Sequence, residues 1–215
     1  MTTSTGPRRI IIIMGAAGRD FQNFNMVYRN DPDCRVVAFT AAQIPGIADR
    51  RYPPALAGPH YPEGIPILDE KDLATICKDH DVEEVVFAYS DVEHAVVLHK
   101  ASIALAAGAD FILLGPKRTM LQSRVPVIAV CAVRTGVGKS QVARWLSRRL
   151  KEHGLRVVAI RHPMPYGDLR RQVVQRFASL GDLDLAQYTI EEREEYEPHL
   201  AIGNVVYAGA DYAYP

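Results

Sequence analysis

The sequence predicts an α/β fold with parallel sheets, on three observations. Short apolar runs rich in β-branched residues recur along the chain, the first being Ile10-Ile11-Ile12-Ile13-Met14. Stretches of helical length and pattern separate these runs. Glycines punctuate them, as at Gly15, Gly108 and Gly154. Strand and helix in alternation build a parallel sheet covered on both faces, and the strands buried in such a sheet read as unbroken apolar runs.

The elements follow in order. Arg8 to Met14 is the first strand. Gly15-Ala16-Ala17-Gly18-Arg19-Asp20 turns into a helix that runs to about Asn30, and Cys34 to Thr40 is the second strand. Gln43 to Pro66 reads as a long proline-rich loop carrying Arg50, Arg51 and His60, and loops of this length are often functional. Asp69 to His80 reads as helix and Val82 to Tyr89 as strand. Val92 to Ala107 is a helix stopped by Gly108, and Phe111 to Leu114 is a strand ended by Gly115-Pro116. The basic stretch Lys117 to Arg124 reads as a linker, which sets a boundary near Arg124 and two domains, 8–124 and 125–215. The alternation then restarts. Val125 to Val133 is an apolar strand, and Ser140 to His153 is a helix with Val142, Leu146 and Leu150 on one face. Leu155 to Ile160 is a strand, Leu169 to Leu180 and Ile190 to Tyr196 are helical, and Val205 to Ala208 is a last short strand.

Composition narrows the function classes. The 215 residues hold 25 basic and 25 acidic side chains, so no bulk field draws the chain to nucleic acid or to a membrane surface. No apolar run approaches the ~18–20 residues that span a bilayer. Met1 to Pro7 lacks the apolar core of a signal peptide. The three cysteines, Cys34, Cys77 and Cys131, show no ligand spacing. Together these point to a reducing, cytoplasmic setting without a disulfide framework or zinc site.

The sharpest chemical signal is Val133-Arg134-Thr135-Gly136-Val137-Gly138-Lys139-Ser140, between a predicted strand and a predicted helix. A loop that cradles phosphate curls its backbone so that several N–H groups meet one anion, which glycine permits. Gly136 and Gly138 supply that freedom. Lys139 brings a point charge to the β- and γ-phosphates, and the Ser140 hydroxyl is placed to ligate Mg²⁺. The positive end of the following helix faces the same anion. The expected ligand is therefore ATP or GTP with Mg²⁺.

Further candidates lie at other strand ends. Arg161-His162-Pro163-Met164-Pro165-Tyr166-Gly167-Asp168 leaves the strand after the phosphate-loop helix, at the edge where open α/β sheets gather ligands. Arg161, with His162 and Tyr166 beside it, is expected to hold an anionic substrate group, and Asp168 to assist Mg²⁺. Between Arg134 and Arg176 there are 11 Lys or Arg against two acids, an excess that suits a polyanion. Glu191 to Glu197 is strongly acidic and reads first as a solvated helix, second as a metal or basic-partner site. In the first domain, Arg19 beside Gly15 and Gly18 marks a second anion site at a Rossmann-like turn. Ser90-Asp91 and His94 follow another strand end. His94 and His99 read as packing or surface residues, and Asp20 and Asp91 as helix N-caps.

Together these segments resemble a known family. The loop from Arg134 to Ser140 resembles the signature-lysine class of P-loop proteins, with Arg134 at the position of the extra lysine and Val133 in place of the usual first glycine. The segment at Arg161 resembles the substrate-binding segment of dethiobiotin-synthetase-like enzymes. Met14 to Phe24, Phe39 to Gly46, Asp49 to Pro54, Phe87 to Asp91, Cys131 to Gln141, Arg161 to Asp168 and Thr189 to Pro198 all resemble the cyclic 2,3-diphosphoglycerate synthetase-like family. The resemblance covers nearly the whole chain. It implies a Rossmann-like domain followed by a P-loop domain, and a nucleotide-driven closure of 2,3-diphosphoglycerate to its cyclic anhydride. The implied nucleotide-binding set is Thr135, Gly136, Val137, Gly138, Lys139, Ser140 and Gln141, with Lys139 and Arg134 as the catalytic cations. A small phosphorylated acid is the implied partner, and a homodimer stays open. Family members continue with an apolar strand ending in Asp and an Asn-Lys-x-Asp segment. The resemblance therefore implies that these residues are an N-terminal half with an incomplete P-loop domain. A nucleotide switch or metallochaperone-like protein without a small-molecule acceptor is the alternative expectation.

Overall fold

The computed structural model describes residues 8–16, 18–42, 50–90, 92–132, 136–162, 169–186 and 190–212. They fall into two compact units, one running to Leu121 and one spanning Gln122–Tyr212. The fold is α/β, as the alternation predicts.

In the first unit the strands are β1 (Arg9–Met14), β2 (Cys34–Ala41), β3 (Arg51–Tyr52), β4 (Ile65–Asp69), β5 (Glu84–Phe87) and β6 (Asp110–Ile112). The helices are α1 (Arg19–Asn23), continued by a π-helical turn over Phe24–Tyr28, α2 (Pro54–Ala57), α3 (Leu73–Asp79), α4 (His94–Ala106) and α5 (Pro116–Thr119). The sheet order is β3-β4-β2-β1-β5-β6, all parallel except β3 against β4. The parallel part is the doubly wound order, whose direction of winding reverses beside β1.

β1 sits centrally because nothing polar interrupts it: Ile11, Ile12, Ile13 and Met14 are fully buried. Successive side chains alternate between faces. Ile12 and Met14 join Leu73, Ile76, Val85, Phe87 and Ala104 in one core. Phe39 lies in register with Ile13 within an aromatic cluster on the other face. There the Phe21 and Tyr52 rings stack at 4.6 Å, and Phe24 meets Phe39 and Tyr61 edge-on.

The proline-rich segment is more ordered than its composition suggests. From Arg50 onward it holds β3, α2 and the start of β4; Gln43 to Asp49 lie outside the described residues. Pro66, opposite Arg51 of the two-residue edge strand β3, fits because the adjoining ladder bond is donated by the Ile67 amide to the Arg50 carbonyl at 2.9 Å, so no N–H is asked of the proline.

The second unit contains α6 (Lys139–Glu152), β7 (Val158–Arg161), β8 (Gln175–Phe177), α7 (Leu180–Ala186), α8 (Ile190–Ala201) and β9 (Val205–Ala208). Its sheet order is β7-β9-β8, with β9 parallel to β7 and antiparallel to β8. Phe177, Leu183, Tyr196, Leu200, Val206 and Ala208 form its core.

Three expectations are corrected here. The strand expected over Val125 to Val133 is not formed by its described part, Val125 to Ala132: no described strand pairs with it, and Val125, Val127 and Ile128 are 69%, 66% and 59% exposed. A β-prone run becomes a strand only when a neighbour takes its hydrogen bonds. Leu169 to Leu180 is not one helix; its middle is β8, drawn into the sheet by pairing with β9. On α6, Val142 is exposed, Leu146 and Leu150 are half-buried and Ser147 is buried, because the helix face covered among the described residues is the one toward α8.

Candidate functional site

The candidate site begins where the chain enters α6. Gly136 and Gly138 have φ of +72° and +88°, the left-handed region that glycine enters without strain. Open space surrounds Gly136, and an added Cβ at Gly138 would meet Gln141 Oε1 at an ordinary 3.5 Å. Conformation rather than crowding therefore requires both glycines. Gly138 is the N-cap and, being glycine, brings no side chain to cap the first turn of α6. This 14-residue helix thus presents its positive end to whatever anion reaches the loop. Lys139 and Ser140, half-buried, are its first two residues.

Two other elements meet Ser140. Arg161 ends β7, in register with Ala208 of β9. Its carbonyl accepts from Tyr212 Oη at 2.6 Å and from the Gly209 amide at 3.3 Å, which fixes the backbone beneath the guanidinium. Glu195 lies on α8, which is anchored by Tyr196, buried and stacked on Phe177 with centroids 5.8 Å apart. The Ser140 hydroxyl donates to Glu195 Oε2 at 2.9 Å, and Arg161 Nη1 donates to Ser140 Oγ at 3.4 Å. Arg161 Nη2 closes the triangle by an ion pair with the same Glu195 oxygen. Farther along, Lys151 Nζ donates to the Ile202 carbonyl at 2.7 Å, tying the end of α6 to the end of α8. Gly203, beside that bond, has φ of +73°, a left-handed conformation that glycine enters without strain.

One turn beyond Glu195 is His199, fully buried, its Nδ1 3.1 Å from Asn204 Nδ2. Burial pushes its imidazole below the usual histidine range; Arg161 and Arg144 push the same way and Glu195 opposes them. The unfolded chain therefore takes up the proton first. This contribution to stability is complete above the unfolded value of 6.5 and is lost as pH falls through the lower folded value. Denaturant unfolding between pH 7.5 and 5 is expected to show falling stability, with a shallower slope in His199→Gln.

Among the sequence candidates, the structure brings Ser140 and Arg161 together and places Gly136, Val137, Gly138, Lys139 and Gln141 on the same turn and helix start. His162 follows Arg161 and is exposed. Arg134, Thr135, Tyr166 and Asp168 lie outside the described residues. Glu195 was singled out only as part of an acidic stretch. The local pattern gives no reason to prefer it over Glu194, which is exposed; the packing of Tyr196 and Leu200 into the core sets the face of α8 that carries Glu195 toward α6.

The first unit's Rossmann-like turn is arranged differently. Asp20 is not an N-cap but the second residue of α1, and its buried Oδ1 accepts from the Gly18 and Phe21 amides at 2.9 and 2.7 Å. A carboxylate of the protein thus takes the amides that a phosphate would use in such a turn. Arg19 is exposed beside it. Gly15, with φ +115°, packs so closely that a Cβ would lie 2.4 Å from Asp20 Oδ2. Gly15→Ala is expected to cost at least about 1–3 kcal/mol through backbone strain, read by thermal or denaturant unfolding.

At the carboxyl end of β4, Glu70 is buried, receives Lys100 Nζ at 2.7 Å and accepts from the Tyr89 hydroxyl. Burial and then Glu70 raise the Tyr89 phenol, so this trio is a closed structural network. His94 and His99 are exposed on α4, and Asp91 lies outside the described residues. A depression lined by Cys77, Lys78, Glu83 and Gly108 opens at the amino ends of β5 and β6, away from the ligand edge. Cys34 is buried, and burial pushes its thiol up to about 12, away from the thiolate form that reactive cysteines use. Among the described residues no helix is long and apolar enough to cross a membrane.

Comparison with known proteins adds one strong relation. No family model matches the chain. A curated protein from Thermococcus kodakarensis (strain ATCC BAA-918 / JCM 12380 / KOD1), arginine synthetase ArcE, is 63% identical over 205 residues, 95% of this chain. The chain spans about half, 46%, of that relative's length. Among solved structures, RSP, a Rex-family repressor, aligns at 11% identity and a TM-score of 0.40, over 69% of this chain and 64% of that one. The same repressor in complex with β-NADH aligns at 12% and 0.40, over 69% and 62%. At those scores the likeness carries no functional weight. The firm relation is the sequence identity with a synthetase, across both units of this chain.

Proposed function

We propose that this chain carries the nucleotide-phosphate site of a synthetase that spends the γ-phosphoryl group of ATP or GTP on a small acceptor. The convergence of Ser140 and Arg161 at the start of α6, behind two left-handed glycines, carries the reading. The amides of the first turn of α6 receive the phosphates. Lys139 neutralises their charge, and Arg134 is assigned by resemblance to the transferring group. Ser140 offers a hard oxygen at the position that suits Mg²⁺; an ion held there would neutralise phosphate charge. Asp168 keeps its proposed role of assisting it, and Arg161, with His162 and Tyr166, orients an anionic group of the acceptor.

The relative's name directs the choice of acceptor toward arginine formation. A guanidinium differs from a ureido group by a nitrogen in place of an oxygen. Phosphorylation of that oxygen releases the nucleoside diphosphate; attack of ammonia at the carbon then expels phosphate and leaves the guanidinium. The motifs shared with the cyclic 2,3-diphosphoglycerate synthetase-like family favour a second reading, in which the phosphorylated acid 2,3-diphosphoglycerate is activated and closes on itself. Release of ADP or GDP, measured with each acceptor in turn, separates the two. Stimulation by either acceptor that persists in Lys139→Ala would refute the shared mechanism. Slow hydrolysis that no acceptor stimulates would favour a nucleotide switch.

A further inference from the structure

We infer that Glu195 is the carboxylate that holds, together with Ser140, the divalent cation of the bound nucleotide. The inference rests on the nucleotide reading of the α6 loop and adds a metal-holding residue from a different element.

The donor set fits a hard cation. A hydroxyl oxygen and a carboxylate oxygen converge to 2.9 Å from two separately anchored helices. Mg²⁺ keeps most of its waters and asks the protein for only one or two oxygens beside the phosphates. Accordingly, no group of three His, Cys, Asp or Glu gathers to hold a metal among the described residues, and none is needed. Glu195 also already faces a cation. The Arg161 guanidinium rests on the same Oε2 that accepts from Ser140, standing in for a positive charge at the hydroxyl that a nucleotide-bound metal would ligate. When the metal takes Glu195, Arg161 is released toward the anionic groups it is proposed to bind. Its backbone stays fixed by the Tyr212 hydroxyl, so only the guanidinium needs to swing. Arg193 cannot take over Glu195, being engaged by Asp184 at 2.5 Å and Glu197 at 2.7 Å.

The test measures Mn²⁺ binding by electron paramagnetic resonance, with the whole chain, in the presence of ATP and separately of GTP. Wild type is expected to hold Mn²⁺ in a protein–nucleotide complex. Glu195→Gln and Glu195→Asp should each weaken that Mn²⁺ by about tenfold or more, within the range for altered metal shells, while metal-free nucleotide affinity changes less than twofold. Ser140→Ala should weaken it similarly, and Glu194→Gln should leave it alone. Unchanged Mn²⁺ affinity in both Glu195 variants overturns the inference and leaves Glu195 as the partner of Arg161 only. Tighter nucleotide binding on removal of the carboxylate also overturns it, because Glu195 would then be a plug. A wild type that binds no nucleotide at all fails the underlying reading instead, which keeps the two failures distinct.

Discussion

Lys139→Ala is expected to lower nucleotide-dependent turnover by about 10²–10³-fold, the usual effect of deleting one preorganised group that meets developing charge. Stability should hardly move. Lys139 is the first residue of α6 and is half-buried, and alanine is the better helix former, so the unfolding free energy should stay within about 0.5 kcal/mol. Product release and an unfolding curve on the same preparation check both halves. Lost activity with a lowered melting temperature would make Lys139 a scaffold residue; unchanged activity would remove the phosphate role.

Tyr196→Ala is expected to do the opposite. Tyr196 is buried in the second unit's core and stacks on Phe177. Truncating a buried aromatic costs about 3–5 kcal/mol, a large share of the 5–15 kcal/mol that keeps a typical domain folded. Because Tyr196 holds α8 against the sheet, its loss also frees Glu195 from Ser140. A denaturant midpoint far below that of wild type is the expected observation. An exposed neighbour, Glu194→Ala, should stay within about 0.5 kcal/mol. A Tyr196→Ala protein as stable as wild type would show that α8 is held some other way.

Legibility in the sequence followed the range of the interaction. The turn into α6 was readable because glycine, lysine and serine act within five residues, and both glycines do adopt left-handed conformations. Buried β1 was readable because an unbroken apolar run needs no context. Arg161 was found from its place at a strand end. What the local pattern could not supply was the partner. β8 was read as helix because its pairing residues on β9 lie some thirty positions later. Val125 to Val133 was read as strand, although no described strand pairs with Val125 to Ala132. β3 and β4 were hidden by the prolines around them, of which Pro66 sits where the ladder asks for no N–H. Glu195 was one glutamate among several, and Asp20 was expected to cap a helix rather than to fill an anion turn with its own carboxylate. Each of these depends on contacts distant in sequence or on a particular packing.

Nucleotide binding through the α6 loop is the property on which every proposed role of Lys139, Ser140 and Arg161 depends. Isothermal titration of the 215-residue chain with Mg-ATP and with Mg-GTP measures that. One saturable site for at least one of the two, abolished by Lys139→Ala, is the predicted result. No binding of either, or binding that Lys139→Ala leaves intact, would contradict it.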